Sequence, residues 1–281
     1  MVLLTVTGGC LTVRDMTKPD RDDAQPAIGW YHTIDLPSGA TPGFYDLRRL
    51  AAKVLPADLS GQRCLDACSA SGFWAFEMER RGASEVVALD VASYADKDWR
   101  LPWQAPDAAE VQGEAFRVAK QALGSSVERV EQNVYDVTPC SIGSYDFVFI
   151  GSVLLHLRDP VRALRGLRQV TRSQLLSFEP ILFRASALHP RSAWGRMAMG
   201  SDSKWWTPNA FAHREWLASA GFDVVDASWH RQPFGRLYTR LPRRAPTSWE
   251  TLRFWGMERH VGVLSQRLLA QPAAVEPAAV H

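Results

Sequence analysis

Short apolar runs alternate with helix-length stretches through the middle of this chain, and that alternation restricts the fold more than any other feature. Arg63-Cys-Leu-Asp66 is a first apolar run, Gly72 to Arg81 has helical composition and stops at Gly82, and Glu85-Val-Val-Ala-Leu-Asp90 is a second run. A strand, a helix and a strand in that order form a βαβ unit with parallel strands. A helical stretch at roughly 107–123 ending at Gly124, a strand from Val127 to Val134 and the strongly apolar strand Tyr145 to Ile150 continue the pattern. Asp159-Pro160 supplies the cap and first residue of a helix through Val170, and Gln174 to Phe178 is another strand. Thr207-Pro208 repeats the start signal for a helix closing at Gly221, after which Phe222 to Trp229 and Gly235 to Leu241 are expected as two antiparallel strands. The fold class is therefore α/β: a doubly wound, Rossmann-like sheet with a terminal antiparallel hairpin.

The flanks read differently. Residues 1–28 are polar and without period, and are expected to be flexible. Residues 29–55, with Gly29-Trp-Tyr-His-Thr-Ile-Asp35 and the turn-rich Ser38 to Gly43, form an aromatic N-terminal cap ending in a short helix to about Val54. The core is expected over 56–245, followed over 246–281 by a C-terminal helix and a disordered Ala/Pro-rich tail. Lys+Arg 32 against Asp+Glu 30 leaves a net charge of +2 with no basic run, which argues against strong non-specific nucleic-acid binding. No apolar run approaches the length of a membrane span. The 4 cysteines lack paired CxxC spacing, which fits a reducing, cytoplasmic setting.

In a doubly wound sheet, ligands bind beyond the carboxyl ends of the strands, so the first strand-to-helix loop is the place to look for chemistry. It reads Asp66-Ala-Cys-Ser-Ala-Ser-Gly72-Phe-Trp74, with Gly72 its single glycine. The three-glycine pattern that brings backbone up to a dinucleotide pyrophosphate is missing, which disfavours NAD and FAD. S-adenosylmethionine has no phosphate; it needs amide dipoles and a carboxylate around its amino-acid end, acceptors for the ribose hydroxyls, and a slot for adenine. Asp66 ends the first strand beside the expected methionyl group, Asp90 ends the second where it can accept both ribose hydroxyls, and Asp136, after Tyr135, follows the third where an adenine amino group would be met. Each aspartate could equally be a cap or turn former. Three in register on successive strands favour a nucleoside-type cofactor.

Residues 66–83 (DACSASGFWAFEMERRGA), with Val86 to Asp90 and Gly151-Ser-Val-Leu-Leu-His156-Leu-Arg-Asp-Pro160, resemble the class I S-adenosylmethionine-dependent methyltransferases. The closer resemblance is to the branch containing the tRNA U34 carboxymethyltransferases and their shorter bacterial relatives, to which Trp30 to Leu36, Thr41-Pro-Gly43 and Trp205-Trp-Thr-Pro-Asn209 are also similar. The resemblance spans about residues 29–242. It implies a methyltransferase sheet and a cofactor held by Asp66, Gly72, Asp90, Asp136 and the Gly151-Ser152 loop, with Cys68, Ser71, Phe73 and Tyr135 at adjoining positions, and S-adenosylhomocysteine as product. Two departures stand out. A glycine usual in the family is Cys68 here, and a polar or acidic position is Ser71, so the methionyl loop is altered. The tyrosine that in the tRNA enzymes helps hold the carboxylate of carboxy-S-adenosylmethionine is Leu155, which favours a plain methyl donor.

Methyl transfer is an in-line displacement in which positioning dominates, and a base is needed only for an acceptor that must lose a proton. His156, just after the fourth strand, is the leading catalytic candidate, with His32 and Glu179 behind it. His189, His213, His230 and His260 show no metal-ligand spacing, and no metal site is expected. Trp30, Tyr31, Trp205 and Trp206 are candidates for an acceptor pocket, against the commoner fate of packing the cap onto the core. Arg162, Arg165 and Arg168, at helical spacing, read as a solvated face. The expected activity is methyl transfer to a small-molecule acceptor, a secondary metabolite or sugar-containing precursor. The alternatives are a tRNA wobble-uridine enzyme and a protein of the same fold that binds or scaffolds without transferring methyl.

Overall fold

The structure, a computed structural model, describes residues 2–7, 10–15, 29–98, 113–197, 204–232 and 263–274. Seven strands make the main sheet: β1 (Arg63–Ala67), β2 (Glu85–Asp90), β3 (Glu128–Glu131), β4 (Tyr145–Gly151), β5 (Thr171–Pro180), β6 (Phe222–Gln232) and β7 (Val263–Pro272). Their spatial order is β3-β2-β1-β4-β5-β7-β6. The first five are parallel, and β7 runs antiparallel to both β5 and β6. The helices are α1 (Arg48–Val54), α2 (Phe73–Glu79), α3 (Glu114–Leu123), α4 (Pro139–Ile142), α5 (Pro160–Val170), α6 (Phe183–Leu188) and α7 (Ala210–Ser219).

The apolar runs form central strands because both faces of the sheet are covered. In β4, Phe147 and Phe149 join the cluster around α1, α2 and α3, while Val148 and Ile150 join the cluster around α5 and α7. Trp74 of α2 lies 4.7 Å, centroid to centroid, from Phe149. On α5, Ala163, Leu164, Leu167 and Val170 turn inward, an i, i+1, i+4, i+7 stripe. Asp159 caps this helix as expected, its side chain accepting from the Arg162 N–H at 2.9 Å.

Several expectations are corrected. The partner of β6 is Val263–Pro272, inserted between β5 and β6; the strand expected at Gly235–Leu241 lies outside the described residues. The sheet thus recruits residues beyond the boundary at 245, and 263–272 are strand where a C-terminal helix and tail were expected. The reason is burial: Leu268 and Ala270 face the α5/α7 cluster and are fully buried. The cap of α7 is Asn209, accepting from Ala212 N–H at 2.8 Å, because Trp206–Pro208 is used as a short strand against Gly195–Met197. Arg165 and Arg168 are not merely solvated: they donate to the carbonyls of Ser219 (3.4 Å) and Gly221 (2.9 Å), at the carboxyl end of α7. Near the N-terminus, where a flexible segment was expected, Val2–Thr7 and Cys10–Asp15 pair antiparallel.

Since α2 and α5 leave β1 and β4 toward opposite faces, a crevice opens at the carboxyl ends of these neighbours. The N-terminal cap lies against it. Thr33 N–H donates to Tyr45 O (2.8 Å), and Phe44 and Tyr45 N–H donate to Trp30 and Tyr31 O (both 2.9 Å). Gly43 is obligatory in this latch, since a Cβ there would lie 2.0 Å from the His32 backbone.

Candidate active site

The loop between β1 and α2 has a backbone that its sequence does not advertise. Cys68 (φ 61°), Ala70 (φ 49°) and Gly72 (φ 84°) are all left-handed, at every second position, although two of them carry a Cβ. A left-handed non-glycine residue costs roughly 1–2 kcal/mol, so surrounding contacts must hold the loop in this shape. Those contacts are visible. Asp90, at the end of β2, accepts the Ala70 N–H on one carboxylate oxygen and its neighbour Val91 N–H on the other, each at 2.8 Å. Asp66 accepts the Ala75 N–H at 3.1 Å, satisfying a free donor in the first turn of α2. Gly72 starts that helix and is hemmed in: a Cβ would meet the Phe116 ring at 2.5 Å.

The cap grips the same loop. Ser71 Oγ accepts the His32 backbone N–H (3.0 Å) and lies 3.1 Å from His32 Nδ1. Ser71 O–H therefore donates to Nδ1 of a neutral imidazole. Burial pushes the His32 pKa down to about 3, consistent with that state. The His32 ring packs on Tyr31 and Phe73, 4.8 and 5.6 Å between centroids. His32 thus sits at the joint between the cap and the 66–72 loop.

On the other side of the crevice, the 3-10 turn Leu154–His156 follows β4. Glu179, near the end of β5 and fully buried, holds this turn through Oε1, which accepts from Val153 N–H (2.9 Å) and Leu154 N–H (3.0 Å). Its Oε2 has no hydrogen-bond partner among the described residues. Burial pushes the Glu179 pKa up to about 8, against the pull of those amides. Asp66 is also raised to about 8, by burial first, with the Ala75 amide opposing and the charge of Asp90 adding. Burial holds the Cys68 thiol well above the usual range, with the charges of Asp90, Asp66 and Glu179 adding and Lys97 opposing. Acidic groups from β1, β2 and β5 thus converge on the loop, an environment that favours a cationic ligand.

The remaining candidates fall in less expected places. Gly151 ends β4 with the Phe149 ring where its Cβ would be, at 2.6 Å, and Ser152 (φ 56°) donates its N–H to Phe178 O. Tyr135 donates its hydroxyl to Asp98 and accepts from Asp159 N–H (3.0 Å). Asp136 stays at the surface, its side chain 65% exposed and 3.3 Å from Arg162. Trp205 and Trp206 are tied down by their indole N–H groups, on Asp98 O (2.7 Å) and Arg158 O (3.0 Å). Trp205 also donates its backbone N–H to Leu155 O, so these tryptophans brace the turn after β4. Trp30 packs on the core at the cap, and Tyr31 keeps 39% of its surface open. His156 closes the 3-10 turn, half-buried.

Sequence reading missed Asp98 and Ser69. Asp98 joins Tyr135, the Arg158 N–H (2.8 Å) and Trp205, linking the segment after β2 to the turn after β4, yet Lys97-Asp98 matches no motif. Ser69, in the loop, is buried with its Oγ lacking a partner among the described residues. An S-adenosylmethionine molecule fits this donor set: left-handed backbone and a spare hydroxyl at the loop, a strand-final carboxylate at Asp90, and acidic groups around a cation. No cluster of His, Cys, Asp and Glu suited to a metal occurs among the described residues.

Comparison with known proteins agrees with this geometry. The family model described as a methyltransferase domain matches residues 42–227. The tRNA U34 carboxymethyltransferase of Ectopseudomonas mendocina (strain ymp) is 26% identical over 172 residues, covering 60% of this chain and 47% of that protein. The chain spans about half the length of the curated relatives it matches. Among solved structures, the [4+2]-cyclase SpnF superposes with a TM-score of 0.54 at 18% identity, over 82% of this chain and 81% of its own. The 1,6-didemethyltoxoflavin-N1-methyltransferase of Burkholderia thailandensis gives 0.50 at 15% identity, over 81% and 78%. With its family model covering well over half the residues, the chain belongs to the methyltransferase-domain family, among the class I S-adenosylmethionine-dependent methyltransferases.

Proposed function

We propose that this protein transfers a methyl group from S-adenosylmethionine to a small-molecule acceptor, a secondary metabolite or sugar-containing precursor. The observation that carries the reading is the 66–72 loop, which keeps a repeated left-handed backbone at Cys68, Ala70 and Gly72 with Asp66 beneath it and Asp90 beside it. Such a loop is costly to maintain, and strain of this kind collects where a ligand must be cupped. When bound, S-adenosylmethionine supplies an electrophilic methyl carbon on a positively charged sulfur.

In this reading Asp66, Cys68, Ser69, Ser71, Gly72 and Phe73 shape the methionyl end. Asp90 accepts from the ribose, Tyr135 and Asp136 flank the adenine side, and Gly151-Ser152 forms the floor. Trp30, Tyr31, Trp205 and Trp206 bound the acceptor space from the cap and the β4 turn, excluding water. His156, His32 and Glu179 are the groups available there to hold or move a proton. The structure of the 1,6-didemethyltoxoflavin-N1-methyltransferase, bound to S-adenosylhomocysteine and to a small heterocycle, supports the acceptor class by analogy of fold.

Calorimetry with S-adenosylmethionine and S-adenosylhomocysteine tests the cofactor, and transfer of a labelled methyl to a panel of small amines, phenols and sugars tests the acceptor. Binding of neither compound overturns the reading; binding of both without turnover on any acceptor favours a protein that uses the fold without methyl transfer. A second reading, tRNA modification, is favoured by the activity named for the curated relatives and opposed by a net charge of only +2. Salt-sensitive binding and methylation of bulk tRNA would favour it.

A further inference from the structure

The two oxygens of Glu179 are treated unequally. Oε1 carries the amides of the turn after β4, whereas Oε2 is buried and has no partner among the described residues. A buried polar atom left unpaired costs about 1–3 kcal/mol, and beside the turn after β4 and the 66–72 loop that cost points to a bond completed by ligand. Three elements face this residue: Tyr31 from the cap and Cys68 from the cofactor loop both feel its charge, and the turn it holds carries His156. His32 by contrast has Nδ1 engaged by Ser71.

We propose that Oε2 of Glu179 takes the proton released by an acceptor N–H or O–H, and that the positive charge of bound S-adenosylmethionine puts this oxygen in its proton-accepting form. The inference rests on the methyltransferase reading and adds the class of acceptor. As the acceptor's nitrogen or oxygen bonds to the methyl carbon, the carbon–sulfur bond breaks and its electron pair stays on sulfur. The acceptor's proton passes to Oε2, so charge and atoms balance. Without the cofactor, burial keeps Glu179 neutral at pH 7. A neighbouring cation favours the carboxylate, and the uncharged product restores the neutral acid. Carboxylate acceptors, which have no proton to give and would meet a second anion, are disfavoured.

Proton release on cofactor binding tests this without any acceptor. Calorimetry at pH 7 in buffers of different ionisation enthalpy is expected to show S-adenosylmethionine releasing nearly one proton more than S-adenosylhomocysteine. Ionisation of Asp66, which faces the amino-acid end shared by the two, cancels in the difference. Glu179→Gln is expected to bring the difference close to zero. Infrared difference spectra of the wild type are expected to lose one more protonated-carboxyl band on adding S-adenosylmethionine than on adding S-adenosylhomocysteine, which needs no variant. An equal difference in proton release for wild type and Glu179→Gln, or the same loss of carboxyl bands with both compounds, overturns the proposal while leaving the cofactor assignment intact. Failure of both compounds to bind overturns the methyltransferase reading itself.

Discussion

Replacing Ala70 with glycine is expected to stabilise this protein, while the same change at Ala67, three residues earlier, is expected to destabilise it. Ala70 has φ 49° and is partly exposed, so its methyl contributes little burial and the backbone pays for being left-handed. Relieving that strain is worth roughly 1–2 kcal/mol, and the extra unfolded-state entropy of glycine takes back about 0.5–1 kcal/mol. The net gain is about 0.5–1 kcal/mol, or roughly 1–4 °C in Tm for a protein of this size. Ala67 ends β1 with 1% exposure and is absent from the left-handed positions. Glycine there loses about 0.8 kcal/mol of methyl burial besides the entropy, a destabilisation of about 1–2 kcal/mol. Urea unfolding of the wild type and both variants measures this, provided the denaturant slopes match. If Ala70→Gly destabilises as much as Ala67→Gly, the loop is not held left-handed in solution and the case for a cupped ligand weakens.

Ser71→Ala leaves the His32 N–H and Nδ1 buried without their partner and is expected to cost about 2–4 kcal/mol in urea unfolding, a loss under 1 kcal/mol showing that the cap is not seated on the loop. Asp90→Asn is expected to weaken S-adenosylmethionine by roughly 2–4 kcal/mol in calorimetry, since the variant loses charge-assisted bonds to the ribose; unchanged affinity in a folded variant removes Asp90 from the site. Ligand-free stability is expected to fall from about pH 6.5 to about pH 8. Asp66 and Glu179 sit at about 8 when folded against about 4 unfolded, so their contribution is complete below the unfolded value and lost as pH rises through 8. His32 and His213, depressed to about 3 and about 4, contribute stability present above about 6.5 and lost as pH falls; between about 4.5 and 6.5 the pairs offset each other. Urea midpoints that rise from pH 6.5 to 8 contradict these assignments. With the proton going to Glu179, His156→Ala is expected to keep turnover within about tenfold of wild type, whereas a loss of about 10²–10⁴-fold returns the base to His156.

Periodicity and punctuation in the sequence determined the local elements. Glu85–Asp90 is a strand over the expected residues, and Asp159-Pro160 starts α5 where a cap and a preset φ predict it. Burial on both faces writes β4 as a continuous apolar run, and Asp66 and Asp90 stand at the carboxyl ends of β1 and β2. What joins residues far apart had no local signal. Val263–Pro272 enters the sheet because its alternating faces complete two clusters built by other segments, and its partners β5 and β6 lie elsewhere in the chain. Cys68 and Ala70 look unfit for a glycine-type loop until Asp90 is seen holding the Ala70 amide. Glu179 reads as one acid at a strand end. Only the packing of cap, loop and turn around it decides that one oxygen is spent on backbone and the other has no partner among the described residues.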